Sequence, residues 1–356
     1  MVTQRLKNMS SFIVMDVMEK CTEMECRGED VVHLEVGEPD FSTPACIIEA
    51  VTQALAEGCT HYTHSLGMPA LREAISAHYH EKYAVSVDPD QIVVTSGSSP
   101  AIFMACAALL EAGDEVILSD PHYACYPNFI TFFNGRCVSV PVSEADGFQY
   151  RPEAIRDRLG DRTRMILINS PANPTGTLLS ADRMAAIAGL GPYILSDEIY
   201  HGLVYAGREH SILEYTDRAF VINGFSKLYA MTGLRLGYVI APKTFARALQ
   251  KLHQNFFISA SAALQKAGIA ALTLPQAQAD VAHMRAVYNE RRRYIILRLR
   301  QMGFNIQVEP TGAFYVFVNA RHISRDSYAL AFDILQHACV GVTPGIDFGP
   351  GGEGYL

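Results

Sequence analysis

The stretch Asn223 to Tyr238, NGFSKLYAMTGLRLGY, is mostly small and apolar. It nevertheless carries two cations, Lys227 and Arg235, and no carboxylate to pair with them. Long basic side chains can bury their stems and keep their heads in water. The other reading is chemical. A lysine amine taken out of water loses its proton more readily and becomes a nucleophile suited to Schiff-base chemistry. Arg235 would then be a fixed charge that holds a phosphate. The stretch alone allows both readings, so matching parts must be sought elsewhere in the chain.

TSGSSPA (95–101) places Gly97, Ser98 and Ser99 at a strand-to-helix turn. SGSS after a strand can be only a turn. Its backbone N–H groups and hydroxyls at a helix N-terminus can also hold an anion. It is neither G-x-x-x-x-G-K nor G-x-G-x-x-G, so the anion is a single phosphate group, helped by Ser226 and Arg235. Asp197 ends an apolar run; it is either a helix cap or a partner for a protonated ring nitrogen. NPTG (173–176) is a common turn, yet Asn173, with Tyr200, could bond a phenolic oxygen. Tyr123 offers a ring to stack on. A phosphate, a pyridinium, a phenolate and an amine-reactive aldehyde together describe pyridoxal 5′-phosphate.

These residues need a frame that brings them to one place. From about residue 90, short β-branched runs alternate with helical patterns: QIVVTSG (91–97), DEVILSD (114–120), RCVSVPV (136–142), RMILINS (164–170), YILSDEIY (193–200), AFVINGFS (219–226) and LRLGYVIA (234–241). Such alternation predicts a mainly parallel, seven-stranded α/β sheet covered on both faces. The last two runs lie too close for a helical crossover and should be antiparallel. Ligands of such sheets bind outside the carboxyl ends of the strands, where these polar residues fall. The pattern breaks at Pro275. A long charged helix ending at Gly303 follows, then FNIQVEP, GAFYVFVNA and CVGVTPG, which read as strands of a smaller α+β unit. The expected division is 44–274 as the large domain, with 1–43 and 275–356 as an arm and a small domain.

The chain has 356 residues, with 49% hydrophobic, 19% charged and a net charge of −8. That balance argues against nucleic-acid or anionic-membrane partners. No run of about 18 apolar residues suggests a membrane span, and no signal peptide is visible. Eight scattered cysteines, without C-x-x-C or an accompanying histidine cluster, read as reduced and buried thiols of a cytoplasmic protein, with no metal site.

The chain resembles the class I/II pyridoxal-phosphate-dependent aminotransferases of fold type I (the aspartate aminotransferase superfamily). The likeness runs through VGEPDF (36–41), YTHSLGMPALREAI (62–75), NPTG, SDEIY (196–200), SKLYAMTGLRLG (226–237) and GAFYVF (312–317). The S-K-x-x-x-x-x-G-x-R-x-G order is specific; the shorter pieces are weak singly. The resemblance implies that Lys227 is the Schiff-base lysine and proton shuttle, and that Asp197 keeps the ring nitrogen protonated. It implies that Tyr200 and Asn173 bond the phenolic oxygen, that Ser98, Ser99, Ser226 and Arg235 hold the phosphate beside Gly97, and that Tyr123 stacks on the ring. Tyr62 would reach the phosphate of a neighbouring subunit, making a homodimer with shared sites. Gly37, with Asn173, would meet the substrate carboxylate. Both cations are then expected to be buried against the bound cofactor, and the Asn173–Pro174 bond to be cis.

Family members continue past GPGGEGYL with an Arg that grips the substrate α-carboxylate, then a strand and a final helix. The resemblance therefore implies either truncation after Leu356, the favoured reading, or a defective enzyme. The expected reaction moves an amino group from an L-amino acid to a 2-oxo acid in ping-pong half-reactions. The alternatives are a C–S β-lyase or decarboxylase of the same fold. A DNA-binding regulator built on this fold would need a basic region in front, which the net charge and the 43 preceding residues disfavour. With Ser99 and His64 near the mouth, no second cationic clamp is evident, which favours neutral or aromatic side chains.

Overall fold

The computed structural model describes residues 2–356. Helices α1 (Gln4–Lys7) and α2 (Ile13–Cys26) lead to a short strand β1 (Val32–His33), then to α3 (Ala45–Ala56) and α4 (Pro69–Tyr83). The sheet strands are β2 (Ile92–Thr95), β3 (Glu115–Asp120), β4 (Arg136–Pro141), β5 (Thr163–Asn169), β6 (Tyr193–Asp197), β7 (Ala219–Gly224) and β8 (Gly237–Ile240). Helices α5 (Ser98–Leu109), α6 (Tyr126–Phe132), α7 (Pro152–Arg156) and α8 (Ala181–Ala188) lie between them. After the sheet come α9 (Lys243–Phe256), α10 (Ala262–Thr273), α11 (Pro275–Gln301), α12 (Ser327–Ala338) and strand β9 (Val340–Gly341). No helix among the described residues is long and apolar enough to cross a membrane.

All seven expected runs join one sheet in the order β2-β8-β7-β6-β5-β3-β4. β8 is antiparallel to both its neighbours, and the other pairs are parallel. Successive side chains point to opposite faces of a strand. Ile166, Ile168, Ile194 and Val221 therefore pack into one core. Met165, Leu167, Leu195 and Ile222 pack into another on the opposite face. With both faces covered, the strands read as continuous apolar runs rather than alternating ones. Truncating one such side chain, Leu195→Ala, should cost about 2–5 kcal/mol.

Helix boundaries follow local chemistry. α8 is capped by Ser180 Oγ, which accepts from the Arg183 amide, and α12 by Asp326, which accepts from the Ala329 amide. α11 starts at Pro275, where a missing N–H costs nothing, and stops two residues before Gly303. α2 packs Val17, Cys21 and Met24 against Leu335 of α12. β1 and β9 pair in parallel beside them.

Two expectations fail. Residues 304–320 do not form ladders; only isolated bridges, such as Asn305 to Asn319, occur there. In the middle of the segment the amides are committed elsewhere: Thr311 and Gly312 donate to Gly176 O, and Ala313 to Leu203 O, all at 2.8 Å. Pro310 has no amide to offer. The cysteines are free, but Cys26 and Cys137 are exposed rather than buried.

Candidate active site

The carboxyl edge of the sheet gathers the polar strand ends. In the β5–β6 register Asn169 lies beside Asp197. Asn169 Nδ2 donates to Asp197 O at 2.9 Å, and Asn169 Oδ1 accepts the Asn173 amide at 2.7 Å. The Asn173–Pro174 bond is cis, as expected. Gly37, Ser98, Ser99, Tyr123, Asn173, Asp197, Tyr200 and Lys227 line one cavity.

Asp197 is buried. Tyr126 donates to its Oδ2 at 2.7 Å, and the Ile199 amide to its Oδ1 at 3.2 Å. Burial still pushes the carboxyl up to about 6, because those two donors only partly replace water. Lys227 shows the converse. Burial brings its ammonium down to about 8, Glu38 opposing and Arg235 adding to the fall. Its Nζ donates to Gly37 O at 2.6 Å. Tyr200 and Tyr315 share a hydrogen bond of 2.5 Å, and Asn173 Nδ2 donates to Tyr315 at 3.4 Å.

The antiparallel run of β8 explains how Arg235 arrives. β8 lies between β2 and β7, and its first residue, Gly237, is in register with Thr95 and Gly224. The chain just before it therefore stands at the carboxyl edge. There the Arg235 guanidinium lies over Gly97: a Cβ on Gly97 would sit 2.5 Å from Nη2. Gly97 has φ +92° at the start of α5, a conformation suited to glycine. Arg235 Nη1 donates only to Thr232 O, so the guanidinium has no carboxylate partner among the described residues.

The profile of the aminotransferase class I and II family matches residues 29–353. The chain belongs to this family. It is 40% identical to a (5-formylfuran-3-yl)methyl phosphate transaminase of Methanocaldococcus jannaschii, over 100% of this chain and 94% of that one. It is 37% identical to an aspartate aminotransferase of Pyrococcus horikoshii, over 96% and 88%. The crystal structure of an aspartate aminotransferase from Thermus thermophilus with maleate superposes with a TM-score of 0.96 at 35% identity, covering 100% and 94%. The fold is that of the fold type I enzymes, and the activity is pyridoxal-phosphate-dependent amino-group transfer.

The side chains of this aminotransferase fit that cofactor on their own chemistry. A guanidinium without an acid partner stands at a helix N-terminus, where a phosphate is stabilised. A buried carboxylate faces the cavity without a salt-bridge partner among the described residues. Asn173 Oδ1 is buried with no hydrogen-bond partner.

Three positions stand apart. Arg235 is exposed in the single chain, because it lies outside the strand ends. Ser226 is buried ahead of Lys227 but does not line the cavity. Tyr62 is 85% exposed and lies outside the cavity. Sequence reasoning missed Tyr126, Asn169 and Tyr315, and also Phe12, Val14 and Met15, which α2 and the turn before it bring to the cavity wall. The second tyrosine of HYACY and the tyrosine of GAFYVF were the signals for two of them.

Proposed function

We propose that the cavity accepts L-amino acids with neutral or aromatic side chains and returns the amino group to a 2-oxo acid in ping-pong half-reactions. The observation that carries this is the composition of the wall. Phe12, Val14, Met15, Ile102 and Phe348 give it an apolar face, and Lys227 is the only cation among the described lining residues. A dicarboxylate side chain would meet no second cation there.

When bound, pyridoxal 5′-phosphate supplies an aldehyde carbon for the substrate nitrogen and a ring that accepts electrons from the α-carbon. The rest falls to the chain. Lys227, its amine about half free near pH 8, would form the covalent link and then carry the proton removed from the substrate α-carbon. Asp197, held by Tyr126, sets a negative charge against the ring nitrogen. Asn173 and Tyr200 bond the phenolic oxygen, and Tyr315 positions Tyr200. Gly97, Ser98, Ser99, Ser226 and Arg235 hold the phosphate, and Tyr123 lies against the ring. Gly37 and Asn173 meet the substrate carboxylate.

We assign cofactor binding to residues 44–274, with 1–43 and 275–356 as the arm and small domain that complete the substrate face. The active unit is a cytoplasmic homodimer in which Tyr62 crosses to the neighbour's phosphate. Its support is exposure on one patch: Tyr62 at 85%, Phe256 at 68% and Ile258 at 48%. The Thr63 amide donates to Ser259 Oγ at 3.3 Å, which ties the two segments together.

A panel of amino donors tests the substrate reading. Aromatic and aliphatic donors should exceed aspartate in kcat/KM by at least about tenfold, the scale of apolar pocket discrimination. Aspartate equal to the best of them would overturn it.

A further inference from the structure

A second cluster lies behind the strand that carries Gly37. Cys21, His33 and Glu35 each offer a ligand atom, and the three atoms lie within 4.8 Å of one another. Helix α2 turns Cys21 inward. Strand β1 and the residues after it run beside β9, which brings Glu35 over Gly341. A Cβ on Gly341 would collide with Glu35 Oε2 and lie 2.8 Å from Cys21 Sγ. Two side chains from separate elements therefore converge over a bare stretch of backbone.

The Glu35 side chain is 0% exposed. Its Oε1 meets His33 Nδ1 at 2.7 Å. Its Oε2 is buried with no hydrogen-bond partner. Leaving a buried acceptor unpaired is costly, and more so when it is charged. On the far side of the ring, His33 Nε2 meets Glu25 Oε1 at 3.2 Å. A histidine shared by two carboxylates could be only an ion-pair bridge. That reading leaves Oε2 with no partner stronger than the Cys21 thiol, a weak donor. The carboxylate behind the imidazole is also the arrangement that orients metal-ligating histidines.

We propose that Cys21 Sγ, His33 Nδ1 and Glu35 Oε2 bind a zinc ion, with Glu25 orienting the His33 ring. Thiolate, imidazole and carboxylate are zinc donors at about 2.0–2.3 Å. The sulfur disfavours Mg²⁺ and Ca²⁺, which take oxygen ligands. Drawing the three atoms together by roughly 1 Å gives three corners of a tetrahedron. His33, with its side chain 39% exposed, leaves the fourth corner to solvent. The ion would pin α2 to the segment entering the active site. Glu35 O accepts from Thr343 Oγ1 at 2.6 Å, and Gly37, two residues on, accepts from Lys227. This site was invisible in the sequence, where its ligands have no metal-binding spacing.

The test uses the holoenzyme, freed of metal by a chelator and titrated with Zn²⁺ and, separately, Co²⁺. One equivalent of zinc should bind and raise the melting temperature. Cobalt should give a thiolate-to-metal charge-transfer band. Cys21→Ala should abolish the band, whereas Cys26→Ser and Cys137→Ser should keep it. Glu25→Gln should weaken zinc by about 10–100-fold, as for other outer carboxylates. If Cys21→Ala fails to fold, His33→Gln, at an exposed position, must abolish the one-equivalent binding instead. A missing band, or binding that survives both Cys21→Ala and His33→Gln, overturns the proposal.

Discussion

Tyr126 holds Asp197 from the side, its hydroxyl donating to Oδ2 at 2.7 Å. Tyr126 is itself fully enclosed, so no water can replace it as donor. A hydrogen bond to a charged acceptor is worth about 1.5–3 kcal/mol. Tyr126→Phe should therefore raise the Asp197 carboxyl above its already elevated value. Because Asp197 acts ionised, the acid limb of the kcat/KM profile should move to higher pH, with a rate loss of about tenfold or more. An acid limb at the wild-type position would mean that Asp197 does not depend on this donor.

Asp197→Asn removes the charge and keeps the shape. Breaking a buried charge pair costs about 3–5 kcal/mol, or roughly 10²–10⁴ in rate. The fold should be intact by circular dichroism while turnover falls by that range. A variant within about tenfold of wild type would show that another group faces the ring nitrogen.

Lys227 is depressed to about 8 by burial. A lowered ammonium gives free amine at lower pH, so the apoenzyme's reaction with a neutral acylating reagent at Lys227 should rise through pH 8 and level off above it. A rate still climbing toward the ordinary lysine value near 10.4 would contradict the desolvated amine. Borohydride treatment of the holoenzyme should fix the cofactor to the peptide carrying Lys227, and Lys227→Ala should fold but not turn over. Label on Lys243 or Lys251 would move the assignment.

What was legible in the sequence was local. Strand runs ending in SGSS, NPTG, SDEIY and SK declared themselves, because each joins an apolar strand to polar residues within a few positions. The lateral contacts were not legible. Asn169 and Tyr126 serve Asp197 across the sheet and from a helix, and the register that places them there is set by strand pairing, not by spacing. Residues 304–320 looked like strands because their composition is β-branched and aromatic. The amides of Thr311, Gly312 and Ala313 were taken by Gly176 and Leu203, a tertiary fact that propensity cannot anticipate. Arg235 was expected to be buried against the bound cofactor; in the chain alone it stands exposed at the sheet edge.

Gly237 tests the cup without touching a charge. A Cβ there would lie 2.7 Å from Gly97 C and 2.8 Å from Ser98 N, both backbone atoms that cannot rotate away. Gly237→Ala must push the start of α5 outward, at about 1–3 kcal/mol for an overpacked site. Cofactor affinity should fall while Lys227 remains reactive. Unchanged cofactor affinity would mean that the turn at Gly97 does not hold the phosphate.

The last prediction concerns Tyr62, which has little to do in its own subunit. It is 85% exposed, on a loop tied to the segment carrying Phe256 and Ile258. A patch of that character in water calls for a cover. If the cover is a second copy, the interface should belong to the obligate class of about 2,000–5,000 Å². Ile258→Glu should then split the particle in sedimentation and lose cofactor. Shared sites also make a stricter claim. Mixing Tyr62→Ala subunits with Lys227→Ala subunits builds mixed dimers in which one site takes its lysine from the first chain and its tyrosine from the second. Random pairing in a twofold dimer leaves about a quarter of all sites intact, so activity absent from the Lys227→Ala protein and weak in the Tyr62→Ala protein should recover toward that fraction at limiting cofactor. If Tyr62 served its own subunit, no site in the mixture would hold both residues, and no recovery above the Tyr62→Ala contribution would be seen.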